Sequence, residues 1–381
     1  MTRTGGWVVQ AGELLLGEGI RGPGYAVIDG DRIAEVAEGR YPRPDLDCAH
    51  DTLVPGFIDL QVNGAAGCDF LSPTESGLAA AHAYLLSTGT VAYLPTLISG
   101  PEDRLRAALS IFAKRARQPG APRILGVHLE GPFLSPARAG AHRPEHLRTP
   151  SVEWIGRLID DFQGVIRVVT LAPELDGALD VIAMLVSKGI TVAVGHSDAT
   201  YVQAMAAFDR GARLATHLFN AMRPYHHREP GVVGAALLHP AVTCSIIADM
   251  VHLHPAVVEQ VVALKRSDRT MLVTDAVAAA GARDLSPTLG DQAVAVRDGA
   301  PRLPDGTLAG SVLAIDQAVR NLISRGIVPA DAMRMASSTP ARVLGLDRWG
   351  LVPGGQADLI VLDPDRRVKA TIVAGEVVYR R

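Results

Sequence analysis

Short apolar runs, rich in β-branched residues and each followed by polar or glycine positions, constrain this chain more than any other feature. Eight of them fall at 53–64, 90–99, 123–132, 165–174, 190–199, 212–222, 242–252 and 270–279. Between most of them lie alanine- and leucine-rich amphipathic segments such as ESGLAAAHAYLLSTG, PEDRLRAALSIFAKRA and LDGALDVIAMLVSKG. Several close on the glycine that commonly follows a helix. Strands alternating with helices indicate a parallel sheet. Eight such units predict a closed (β/α)8 barrel of the TIM type. The helical pattern is weakest between 222 and 242, where a loop containing proline and glycine is expected in place of a clean helix.

The two ends read differently. Residues 1–52 hold short β-like pieces and a hairpin signal at AVIDGDRIAEVAEG, and the tail GGQADLIVLDPDRRVKATIVAGEVVY is again β-rich. Helices are expected near 313–325 and 329–344. One small β-sandwich-like domain built from residues 1–52 and 346–381, flanking a catalytic barrel over 53–345, is the economical division.

Bulk properties narrow the class of function. A formal net charge of −3, with both signs spread along the chain, gives no electrostatic footprint for nucleic acid or membrane. The three cysteines, Cys48, Cys68 and Cys244, show no CxxC spacing, so a disulfide framework is not expected and a reducing compartment fits. The N-terminus lacks the apolar core of a signal peptide, and no run reaches transmembrane length. The expected location is the cytoplasm.

In such a barrel the C-terminal ends of the strands carry the chemistry. The third run ends in Glu130, the fifth in His196 and the sixth in His217. The seventh ends near His252, and the eighth carries Asp275. One carboxylate and two imidazoles at a barrel mouth resemble a catalytic zinc site, in which three protein ligands leave a position for water. Asp275 would stand beside that water as proton acceptor. Single histidines are usually structural, and His50, His82, His146, His239 and His254 are read so. His128 shares the face of Glu130, while His226 and His227 lie in a loop. Gln61 and Asn63 end the first run two apart, hence on one face of a strand.

The chain resembles the N-acetylglucosamine-6-phosphate deacetylase family of the amidohydrolase superfamily. The resemblance rests on PGFIDLQVNG, GVHLEGPFLSPARAGAH, VGHSDAT, THLFNAMRPYHHREPG, IADMVH, LVTDAVAAAG and LAGSVL, in the family's order. It implies that Glu130, His196 and His217 bind a metal and that Asp275 is the catalytic aspartate. It also implies that His142 polarises the acetyl carbonyl, and that the backbone of Asn220 and Ala221, with Arg228, forms a phosphate pocket. His252 and Leu308, Ala309 and Gly310 would contact the sugar, with Ala141 bordering it. Many amidohydrolases carry His-x-His where this chain has Gln61-x-Asn63. Two amides cannot replace the donor strength of two imidazoles. One divalent ion per chain, zinc, is therefore expected, with both amides near substrate or water.

The reaction so implied is removal of acetate from N-acetylglucosamine 6-phosphate. Two alternatives remain at this stage: the galactosamine isomer as substrate, and a non-catalytic sugar-phosphate binder on the same fold. Retention of Asp275 beside a full ligand set argues against mere binding, which needs neither. The expected partners are the sugar phosphate and a second copy of the chain in a homodimer.

Overall fold

The computed structural model describes residues 6–17, 19–116, 118–282 and 288–381, so the first five residues of the expected terminal β domain lie outside it. Every one of the eight apolar runs contains a strand of one parallel sheet. These barrel strands are β1 (Phe57–Val62), β2 (Thr90–Ile98), β3 (Val127–Glu130), β4 (Ile166–Leu171), β5 (Thr191–Val194), β6 (Leu214–Ala215), β7 (Thr243–Ile246) and β8 (Thr270–Leu272). Each pairs in parallel with the next. All residues of β1 and β2 are buried, as expected where both faces of a parallel sheet are covered.

Closure comes just beyond β8. A parallel bridge joins Val62 to Ala276. Asp275 N–H donates to Gln61 O at 2.9 Å, and Asn63 N–H donates to Ala276 O at 2.7 Å. Beneath the mouth, Asp59 on β1 accepts from the Thr274 hydroxyl at 2.6 Å and from backbone N–H groups of Gln61 and Thr274. First and last strands are thus tied together beside the residues singled out above.

The helices begin and end where their sequences allow. Thr74, Ser151 and Thr200 each accept a backbone N–H in the first turn of the helix that follows, satisfying donors with no intrahelical partner. Gly189 follows helix Ala178–Ser187 with φ +73°, a backbone region that a side chain disfavours. Helices Ile315–Ser324, Pro329–Ala336 and Ser338–Val343 occupy the stretches expected near 313–325 and 329–344. Between 222 and 242 the expectation needs correcting: a helix, Gly231–Leu238, follows the loop. Its sequence GVVGAALL is apolar all round, so no amphipathic stripe announces it. Burial of residues 231–236 explains the composition.

Strands from both termini form a second, mixed sheet of eight strands. The hairpin Gly24–Asp29 with Arg32–Glu38 is where AVIDGDRIAEVAEG predicts it. Strand Leu46–Pro55 pairs with Trp7–Leu16 and with Leu359–Leu362, so the change from one sheet to the other falls at Gly56. At the other edge Arg32 bridges to Gln356, and the sheet curls round its own apolar cluster of Val9, Ile28, Leu53, Leu359 and Ile372. No helix among the described residues is long and apolar enough to cross a membrane.

Candidate active site at the barrel mouth

Polar side chains from the ends of β1, β3, β5, β6 and β8 converge on one cavity of about 340 Å³. Glu130 is the last residue of β3, while His196 and His217 each lie two past the ends of β5 and β6. His196, His217 and Asp275 have φ of +48°, +28° and +51°. Residues with side chains rarely adopt this conformation, and such strain gathers at functional sites. Gly310, at φ +67°, lies so close that a Cβ there would meet Asp275 O at 2.6 Å. Only glycine lets the LAG segment pair alongside Asp275.

Three donor atoms meet at the centre. Glu130 Oε1 lies 3.1 Å from His217 Nε2 and 3.4 Å from His196 Nε2. The two Nε2 atoms are 3.1 Å apart. His196 Nδ1 is 3.0 Å from Arg138 O, an acceptor, so Nδ1 carries the proton and Nε2 presents its lone pair inward. Ligands about 2.0–2.2 Å from a tetrahedral ion lie about 3.3–3.6 Å from one another. The trio Glu130, His196 and His217 therefore fits a small divalent cation. An overlapping set, Glu130, His142 and His196, also has its donor atoms within 4.8 Å of one another. Its His142 Nε2 is farther from the carboxylate, 3.7 Å from Oε2, and spacing favours His217 as the third member.

The electrostatics match a site built for a cation. Burial alone would push Glu130 up, but hydrogen bonds from His142, His196 and His217 hold it well below the usual carboxylate range. Burial opposes charge on His217 too, yet the bond and charge of Glu130 outweigh it and raise that imidazole. Burial, with the charge of Glu130 added, pushes Asp275 up to about 6. Burial pushes His142 down to about 4, so that ring is neutral.

The two amides turn their NH2 ends to carboxylates. Gln61 Nε2 donates to Glu130 Oε1 at 2.8 Å, and Asn63 Nδ2 donates to Asp275 Oδ1 at 2.6 Å. An amide nitrogen has no lone pair for a metal, so neither serves as the histidine it replaces. Asn63 lines the cavity, and its buried Oδ1 has no partner among the described residues. Gln61 does not line the cavity; its side chain reaches the site only through Glu130.

His142, Ala141, Asn220, Ala221, His252, Leu308 and Gly310 line the cavity. His252 donates Nδ1–H to Asp249 Oδ2 at 2.7 Å. Asn220 spends its backbone N–H on His217 O. Ala309 is buried behind the lining, where its N–H donates to Pro301 O. Arg228 is also outside, on an exposed loop with Nη1 2.8 Å from His227 Nε2. The lining carries a different arginine, Arg302, half-buried on the strand Ala300–Arg302 and donating to Gly306 O at 2.9 Å. No strong periodicity marks that stretch, so the sequence offered no signal for it. Ser99, whose Oγ lies 3.0 Å from His142 Nδ1, closes the second run, but serine carries no metal or acid–base signature that would single it out. His128 lies below the cavity, bonded to Leu60 O and Thr170 Oγ1, and burial pushes it down to about 4.

A model of the amidohydrolase family matches residues 52–378. An N-acetylgalactosamine-6-phosphate deacetylase from Escherichia coli is 39% identical over 86% of this chain and 88% of its own. An N-acetylglucosamine-6-phosphate deacetylase from Bos taurus is 38% identical over 97% of this chain and 93% of its own. The solved N-acetyl-D-glucosamine-6-phosphate deacetylase of Mycobacterium smegmatis, a mutant in complex with N-acetyl-D-glucosamine-6-phosphate, superposes with a TM-score of 0.94 at 38% identity. That match covers 98% of this chain and all of the other.

Proposed function

The chain belongs to the amidohydrolase family, and we propose that it removes the acetyl group from N-acetylglucosamine 6-phosphate, giving acetate and glucosamine 6-phosphate. One observation carries the reading. A carboxylate and two imidazoles converge at 3.1–3.4 Å beside a second carboxylate, Asp275, that is free to take a proton.

Glu130, His196 and His217 would hold one divalent ion, zinc. When bound, such an ion acidifies a water and draws electron density from the acetyl carbonyl. Asp275 accepts the water's proton, its carboxylate aimed by Asn63. His142 stabilises the charge that develops on the carbonyl oxygen, where fixed donors contribute most. Asp275 then returns the proton to the sugar nitrogen, since an amide nitrogen leaves poorly without one. Asn63 Oδ1 is placed to accept from water or from the substrate amide. His252, Asn220, Ala221, Leu308 and Gly310 position the sugar phosphate.

Acetate release from N-acetylglucosamine 6-phosphate by the purified protein tests the reaction; no release above an enzyme-free control overturns it. The galactosamine isomer is a second reading, favoured by the relative from Escherichia coli at 39% identity. Assaying both isomers side by side separates them. Buried, unpaired Cys48, Cys68 and Cys244 support a reducing cytoplasm. Light scattering tests the expected homodimer.

The phosphate should be read by arginine, which offers two parallel charge-assisted hydrogen bonds. Arg228 is the candidate from the sequence and Arg302 the one in the cavity wall. Arg228→Ala and Arg302→Ala are each expected to lower kcat/KM for the 6-phosphate at least about tenfold, or about 1.4 kcal/mol. Activity on unphosphorylated N-acetylglucosamine should hardly change. Equal losses on both substrates would assign that arginine to the structure instead.

A further inference from the structure

Ser99 follows β2 directly and makes three polar contacts at the edge of the site. Its backbone N–H donates to His142 Nδ1 at 3.2 Å. Its hydroxyl oxygen lies 3.0 Å from the same nitrogen and 3.4 Å from Glu130 O. Both residues are buried, at 3% and 5% exposure. A ring nitrogen that accepts a backbone N–H bears no proton of its own, and in a neutral imidazole the proton then sits on the other nitrogen. That other atom, Nε2, faces Glu130 Oε2, and the ring lines the cavity. The arrangement is opposite to that of His196, whose Nδ1 faces a carbonyl oxygen.

We propose that Ser99 is a positioning residue. Its N–H and hydroxyl together hold His142 Nδ1 as an acceptor, so that the ring offers Nε2–H to the acetyl carbonyl of the substrate. Two consequences follow. His142 is a hydrogen-bond donor, with no lone pair on Nε2 for a metal, which removes it from the overlapping donor set and leaves His217 as the third ligand. The donor is also held in place before substrate arrives, because with Nδ1 unprotonated the backbone N–H and the one hydroxyl proton of Ser99 both go to that nitrogen. The catalytic part of this inference rests on the deacetylase reading above, whereas the tautomer does not.

The test therefore has two parts. Ring-nitrogen NMR of histidine-labelled, zinc-loaded protein, with the His142 signals identified by their loss in His142→Gln, reads the tautomer directly. A pyridine-type Nδ1 and a proton-bearing, pyrrole-type Nε2 are expected. A proton on Nδ1 overturns the proposal, whatever reaction the protein catalyses. Ser99→Ala, which keeps the N–H but loses the hydroxyl, should lower kcat for acetate release about five- to tenfold, tenfold corresponding to about 1.4 kcal/mol. KM and metal content should stay near those of the parent, and Ser99→Thr should retain the rate. Unchanged kcat in Ser99→Ala, or a loss accompanied by loss of metal, overturns the positioning role. Failure of the parent protein to release acetate would instead sink the functional reading while leaving the NMR result standing.

Discussion

Asp275→Asn should lower kcat for acetate release by about 10²–10⁴-fold, the usual contribution of a positioned acid–base group, while substrate still binds. The amide keeps the shape of the carboxylate, and its oxygen can still accept from Asn63 across the 2.6 Å contact. What it cannot do is take a proton from water and hand it to a departing nitrogen. Burial and the neighbouring charge of Glu130 push Asp275 up to about 6, which brings it toward the range where a base works well near neutrality. The ionised form is the base, so activity should be lost as pH falls through about 6, and a bound cation should move that limb lower. The asparagine variant should show no such limb. Calorimetric binding beside turnover checks the claim, and near-normal kcat in Asp275→Asn would remove the residue from its role.

Metal stoichiometry offers the second large effect. Exhaustive dialysis should leave one equivalent of divalent metal per chain, and a chelator should abolish activity until one equivalent is returned. The reason lies in Gln61 and Asn63, which donate N–H to Glu130 and Asp275 and so offer no nitrogen lone pair to a second ion. Glu130→Gln removes the charge shared by both imidazoles. It should weaken metal binding by more than the roughly 10–100-fold that follows loss of an outer partner alone. Elemental analysis giving two tightly held equivalents would contradict the single site. Full retention of metal by Glu130→Gln would take the carboxylate out of the ligand set.

Much of the fold was legible because it is written locally. A parallel strand buried on both faces must be apolar along its length, and a helix packed on it must carry a stripe. Both appear as periodicity within a dozen residues. The exceptions have local causes too. Helix Gly231–Leu238 shows no stripe because nearly all of it is buried. Leu53–Pro55 is as apolar as β1 but pairs with the terminal sheet, since apolar runs on either side of Gly56 look alike.

The sequence by itself determined the kind of chemistry this protein can perform. Glu130, His196, His217 and Asp275 stand at strand ends, and in a parallel barrel all strand ends of one sense share one face. The amides at 61 and 63 likewise announced that one pair of ligands is missing. Only the tertiary structure decided which atoms meet. Asn63 reaches Asp275 across 212 positions and Gln61 reaches Glu130 across 69, and the first of those contacts depends on the closure of the first strand against the last. The same long-range packing excluded Arg228 from the cavity wall, admitted Arg302 and set Ser99 against His142. Local pattern fixes the element on which a side chain rides, because backbone geometry repeats over a few residues. Its partner is chosen by how distant elements pack, and that information is not held in any one stretch of the chain.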